Sequence, residues 1–340
     1  MMKIYKYLSA ALAVCGSIFA LGSCNPDDPE EKPIFDGGIT FNMNGYARVG
    51  DVLELDAYTT KARTDGTKDI GYYWSSTYDN KLDTVQREHT VQADHIKWTY
   101  TVPDSVGIFT IKIVAYADTY ETSSVSQEFT VVKEGLNGNS SITNFDTYSD
   151  DTTLTDPRDG KEYLCTKIGE TTWMRQNLAW EEKGKPNIGQ KALTNIFGHF
   201  YSWEEAREAC PEGWSLPSED DWVELAKVCG AKDPKKFDTF YDIAGNAMVN
   251  AKFNGSVLWE FWPAVKITDS SRFAAMPVGY ATHDDDSFVY WDFSKYACFW
   301  TSEEYDGGGV YRYLVVDLNH IYANTADKTQ FYANVRCVKH

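Results

Sequence analysis

Between Phe200 and Trp222 the chain reads FYSWEEAREACPEGWSLPSEDDW, a stretch that can start a helix twice. Ser202 stands three residues before Glu205, and Ser218 three before Asp221. At that spacing a serine hydroxyl and an acidic side chain satisfy each other's free backbone N–H groups. Pro211 and Gly213 stop the first helix. Trp203, Ala206 and Cys210 then share one face of it, while Trp222, Leu225, Ala226 and Cys229 form the buried stripe of the second. The stretch holds seven carboxylates. Four of them, Glu204, Glu205, Glu219 and Asp220, fall in first helical turns, where they favour the helix dipole. Capping, rather than catalysis, accounts for most of the acidity.

Residues 34–133 follow a different rhythm. VLELDAYT, IGYYWSST, IKWTYTV, GIFTIKIVAYA and SQEFTVV alternate apolar and polar residues at period two, parted by Gly, Asp and Asn clusters. That is the pattern of strands in a sandwich. Trp74 sits centrally with no cysteine pair around it, so no inter-sheet disulfide is available. Residues 134–150, EGLNGNSSITNFDTYSD, read as a linker. GKEYLCTKIGETTWMRQNL, 160–178, reads as a hairpin turning at Gly169 and Glu170.

At the N-terminus, Lys3 and Lys6 precede an apolar run from Leu8 to Leu21 that is too short and too small in side-chain volume for a spanning helix. The run ends in Leu21-Gly22-Ser23-Cys24, which resembles a bacterial lipobox. The resemblance implies a signal peptide over 1–23, cleavage before Cys24 and lipidation of its sulfur, anchoring the protein to a membrane. Residues 24–33 form an acidic, proline-rich tether, in which Asp27, Asp28, Glu30 and Glu31 resemble the surface-export signal of Bacteroidetes lipoproteins. The expected location is the outer membrane, lipid-anchored and facing the exterior. With 32 basic and 50 acidic residues, the formal charge of −18 argues against nucleic acid and against anionic lipid bound through a basic patch. A glycan or a protein at the cell surface is the compatible partner.

The strand order of 34–133 resembles PKD and related immunoglobulin-like spacer domains, with Tyr100, Gly107 and Thr110 near the Y-x-x-x-G-x-Y-x-V segment. Further on, five motifs occur in order. They are Asp159-Gly160, Trp173-Met174 with Asn177-Leu178, Cys210-Pro211 with Gly213-Trp214 and Leu216-Pro217, Trp300 with Ser302, and Arg336-Cys337. With these, residues 151–340 resemble the Fibrobacter succinogenes major paralogous domain, common in Bacteroidetes surface proteins. Asp221 stands for the usual Glu before Trp222, and Thr301 for the first Ser. The expected fold class is therefore an N-terminal all-β immunoglobulin-like sandwich plus a C-terminal α+β C-type-lectin-like domain. By the same analogy Cys210 would pair with Cys337, a long loop closure that stabilises the fold in the chain-entropy model. Cys165, Cys229 and Cys298 are left over, an odd number, so at least one should be a buried thiol or be paired less predictably.

Catalytic motifs are missing: there is no G-x-S-x-G, no H-E-x-x-H and no P-loop. The histidines show no ligand spacing, and His199 is expected at the surface of a first strand. Glu303 and Glu304, adjacent on a strand, would face opposite sides and could not flank one glycosidic bond. No enzyme activity, catalytic residue or cofactor is expected. HDDDS, His283 to Ser287, is the one oxygen-rich cluster that could hold calcium, through Asp284 and Asp286, and it reads more simply as an acidic turn. The stronger binding candidates are Trp259, Trp262, Tyr280, His283, Asp285 and Trp291, in the region where the resemblance places variable loops. Such residues suit sugar faces or a protein hot spot. Trp300 and Tyr313 match family positions and are expected in the core. The expected function is a surface lipoprotein whose head binds a glycan or surface protein. The alternatives are a structural subunit of a surface appendage and a carbohydrate-active enzyme.

Overall fold

The computed structural model describes residues 32–35, 38–59, 70–89, 95–118, 120–260, 265–284 and 287–340. Cys24, Trp262, Asp285 and Asp286 lie outside them, as do the expected signal peptide and most of the tether. The chain is predominantly β. No helix among the described residues is long and apolar enough to cross a membrane.

In the N-terminal unit the strands Ile39–Thr40, Val52–Thr59 and His95–Thr101 form one sheet. A second sheet runs, in spatial order, Tyr46–Arg48, Ser123–Val132, Gly107–Tyr116, Gly71–Tyr78 and Lys81–His89. The strand His95–Thr101 shows how alternation makes the core: Ile96, Trp98 and Tyr100 are buried while the residues between them are exposed. Phe41, Leu55, Trp74, Phe109, Ile111 and Phe129 join them in one cluster between the sheets. Lys81–His89 is not announced by its sequence, KLDTVQREH, which offers no apolar face. Among the described residues it pairs along one side only, with Gly71–Tyr78, and charge is tolerated on such an edge.

Residues 134–150 connect this unit to the next and are packed rather than extended. Ile142–Thr143 pairs with Lys252–Phe253, and Ile142 and Phe145 are buried. The polar composition serves turns: the Asn137 side chain accepts the N–H of Phe145 at 2.9 Å and donates to its carbonyl at 2.7 Å. The two cores meet at this segment. Tyr46 and Val132 pack with the C-terminal cluster, Arg48 donates to the Lys191 carbonyl at 2.6 Å, and Asn254 donates to that of Val131 at 3.1 Å.

The C-terminal unit opens with the hairpin Glu162–Ile168 and Thr171–Met174, which turns at Gly169 (φ +64) and Glu170. The last strand, Val338–Lys339, pairs with Thr171–Met174, so the unit's beginning and end are neighbours. Both capping boxes form. Ser202 Oγ accepts the Glu205 N–H at 3.2 Å and the Glu205 carboxylate accepts the Ser202 N–H at 2.9 Å. Ser218 and Asp221 repeat this at 3.2 and 2.8 Å. They start the single turn Trp203–Ala206 and the helix Glu219–Val228. Cys210 and Cys337 are joined by a disulfide across 127 residues, while Cys165, Cys229 and Cys298 are free and buried. His199 departs from expectation. It is buried, its Nδ1 lying 3.1 Å from the Lys183 carbonyl and its Nε2 3.3 Å from Thr194 Oγ1, so the ring's polar atoms find partners inside.

Candidate binding face

Three antiparallel strands, Tyr296–Tyr305, Gly308–Val315 and Leu318–Ala326, make a sheet with two unlike faces. Cys298 lies opposite Tyr313, and Tyr313 opposite Tyr322. Alternation then puts Tyr296, Cys298, Trp300, Tyr311, Tyr313, His320 and Tyr322 on one side. Phe299, Arg312, Leu314 and Ile321 take the other, which is inward and fully buried. Arg312 Nε donates to Glu219 Oε1 at 2.8 Å, bolting the first turn of the helix to the sheet.

The first set builds an aromatic belt. Ring centroids step from Tyr280 to Tyr296 (6.1 Å), Tyr313 (6.2 Å), Tyr322 (5.0 Å), His320 (5.8 Å) and Tyr241 (5.0 Å). Tyr311 and Phe331, 4.7 Å apart, broaden it over the buried ring of Trp300. Tyr241 belongs because Phe240 and Ile321 exchange backbone hydrogen bonds of 2.8 and 2.9 Å. That bridge adds the segment beside the sheet, buries Phe240 and turns the next residue outward.

Ring planes decide what the belt offers. Tyr296 lies within 17° of Tyr313, and Tyr313 within 19° of Tyr322. Side chains stand roughly perpendicular to a sheet, and the 5.0 Å between the last two rings is close to strand spacing. The half-buried rings therefore face one another and present edges and hydroxyls to solvent. Burial holds the phenols of Tyr280, Tyr296 and Tyr313 above their ordinary range, and nearby Asp292 adds to this at Tyr280 and Tyr296. These hydroxyls keep their protons and can both donate and accept. His320 Nδ1 accepts the Asp242 N–H at 3.1 Å, so the ring's own proton sits on Nε2.

Of the residues singled out from the sequence, Tyr280 lies in the belt and Trp291 at its end. The two are cross-strand partners in the hairpin Tyr280–Asp284 and Ser287–Trp291. Trp291 is 45% exposed and donates its indole N–H to Thr282 Oγ1 at 2.8 Å. His283 is exposed but alternates to the opposite face of the hairpin, its ring 6.0 Å from Phe288. Trp259 departs from expectation: it is 1% exposed and gives its indole N–H to the Ala275 carbonyl at 3.1 Å, so it packs as a core residue. Asp284 is exposed beside the turn, and among the described residues no three His, Cys, Asp or Glu side chains converge as a metal site. Trp300 is core, as expected, whereas Tyr313 is half-buried and belongs to the belt. Glu303 accepts the Glu219 N–H at 2.9 Å, and Glu304 pairs with Lys328. Tyr241, Tyr296, Tyr311, His320 and Tyr322 escaped the sequence reading. For the last four the signal is the alternation in YACFW, YRY and HIY, where large residues occupy both faces and mask which one is exposed.

The disulfide, both helices and most of the belt lie in one continuous stretch. Residues 166–339 match the Fibrobacter succinogenes major domain, and the chain belongs to that family. No curated protein matches the chain. Among solved structures, the superoxide reductase (neelaredoxin) from Ignicoccus hospitalis is similar over 28% of this chain and 80% of its own, at 6% identity and a TM-score of 0.23. A substituted form of it covers 30% of this chain and 82% of its own, at 9% identity and a TM-score of 0.22. Likeness at that score carries no argument about fold or activity.

Proposed function

We propose that the C-terminal unit, a C-type-lectin-like head, binds a neutral glycan through the tyrosine belt without catalysis. The observation that carries this is the stacking of Tyr296, Tyr313 and Tyr322, which turns phenol edges and hydroxyls outward at strand spacing. Donor–acceptor hydroxyls interleaved with apolar ring edges suit a ligand whose own surface alternates O–H and C–H groups. Asp292 and Asp317 beside Tyr296, on a chain of net charge −18, disfavour an anionic ligand. In this reading the N-terminal unit is an immunoglobulin-like spacer, supported by its two facing sheets, and lipidated Cys24 fixes the protein to the outer membrane with the head outside. The test is a glycan array followed by calorimetry with and without calcium. Binding of neutral glycans, unaffected by calcium and lost in Tyr313→Ala, is the expected result, and failure to bind any glycan overturns it.

A second reading, as a subunit of a surface assembly, is favoured by one feature. Among the described residues the strand Ser287–Trp291 is paired along one edge only, which leaves the other for a strand of another chain. Concentration-dependent assembly lost on a proline substitution at Val289 would support it.

A further inference from the structure

The belt does not end at Tyr241. That residue, 65% exposed, stands at the lip of a basin of about 600 Å³ lined by residues 230–235 and 238–243, where the chain leaves the helix Glu219–Val228. Lys232 and Lys235 line it together with Asp233, Asp238 and Asp242, so its wall offers donors and acceptors without one dominant sign. The basin is held to the sheet from beneath. Arg312 Nη1 donates to the Asp238 carbonyl at 2.6 Å, and Glu219 Oε2 accepts the Phe237 N–H at 2.7 Å. The buried pair that fixes the belt's underside thus fixes the basin's floor too. At the junction, the Asp242 backbone orients His320, whose ring touches both Tyr241 and Tyr322.

We infer that belt and basin are one binding site for an extended saccharide chain, with a terminal unit seated in the half-open basin and inner units lying along the tyrosines. This rests on the glycan reading above and adds to it the ligand's shape: an oligomer, not a single sugar. A row of ring contacts without a closed end would bind each inner unit alike. A basin continuous with the row enlarges the contact surface for a chain long enough to occupy both.

The experiment is calorimetry of the full chain against ladders of neutral hexose oligomers, disaccharide to hexasaccharide, of cellulose, maltose and mannan type. Four proteins are compared: the unaltered protein, Lys232→Ala and Lys235→Ala, both at exposed basin positions, and Tyr313→Ala as the belt control. Affinity should climb with length in the unaltered protein. Lys232→Ala and Lys235→Ala should flatten the climb, each weakening the longest ligand about tenfold while leaving the disaccharide little changed. Tyr313→Ala should weaken every length. A length dependence unchanged in both basin variants overturns the continuous site and leaves the belt standing. Failure of every ladder to bind the unaltered protein overturns belt and basin together.

Discussion

Arg312 and Glu219 are both fully buried and joined by two hydrogen bonds across the seam between sheet and helix. A guanidinium and a carboxylate removed from water repay their desolvation only while they have each other. Arg312→Ala is expected to lower stability by about 3–5 kcal/mol, because it strands a buried carboxylate. Replacing both residues with apolar ones should cost less than losing Arg312 alone. Urea denaturation of the three proteins distinguishes these cases, and a double variant worse than the single one would contradict the account.

Gly279 sets the base of the hairpin that carries Tyr280 and Trp291. Its φ is +77°, and a Cβ there would lie 1.9 Å from the Trp291 carbonyl oxygen, a backbone atom that cannot swing aside. Gly279→Ala should cost about 1–3 kcal/mol and shift the emission of exposed Trp291. An unchanged melting temperature with unchanged fluorescence would show that the hairpin accommodates the methyl group.

Two kinds of cysteine should separate chemically. Burial pushes the Cys165 and Cys229 thiols up to about 12, and raises that of Cys298 as well. At these three positions the native protein should therefore resist alkylation at mildly alkaline pH, and all three should react on unfolding. Cys210→Ser with Cys337→Ser should lower stability by about 5 kcal/mol through the entropy of the opened loop. Thiol counting before and after denaturant, with a melting curve for the double variant, tests both statements.

Asp269 gives the pH dependence an uncommon sign. Burial raises its carboxyl from the ordinary value to about 7, although Arg175 lies 3.5 Å away and Arg336 also opposes the shift. The folded state then binds more protons than the unfolded one between the two values, so stability falls as pH rises from about 4 to about 7 and levels off above. Asp269→Asn, which can still accept the Ala274 N–H that Asp269 accepts at 2.8 Å, should remove this slope. Denaturant midpoints of both proteins across that range settle the matter, and parallel profiles would exclude Asp269 as its source.

Local order was legible in the sequence wherever one residue type has one physical job. The serines at 202 and 218, Gly169 at its turn and the alternation of His95–Thr101 each specify backbone or burial within a few residues. The belt was not legible, because it depends on register between distant strands. Nothing local says that Tyr313 should lie opposite Tyr322, or that Phe240 should bridge to Ile321 and carry Tyr241 outward. Trp259 misled for the complementary reason: a tryptophan in a loop-like run can be exposed or buried, and the Ala275 carbonyl that receives its N–H is 16 residues away. His199 misled in the same way, since its partners come from two other segments.

The N-terminal unit has one more consequence, for mechanics. Tyr46–Arg48 runs parallel to Thr130–Val132, at the end of the strand that leads into the C-terminal unit. A pull applied between a point before Tyr46 and a point after Val132 would load the hydrogen bonds between these strands lengthwise, all of them together. A hairpin pulled at its open end, by contrast, yields one bond at a time. The shortest pairing in the five-stranded sheet would then act as its shear latch, and the force that opens it would limit the load that the N-terminal unit could pass to the C-terminal one.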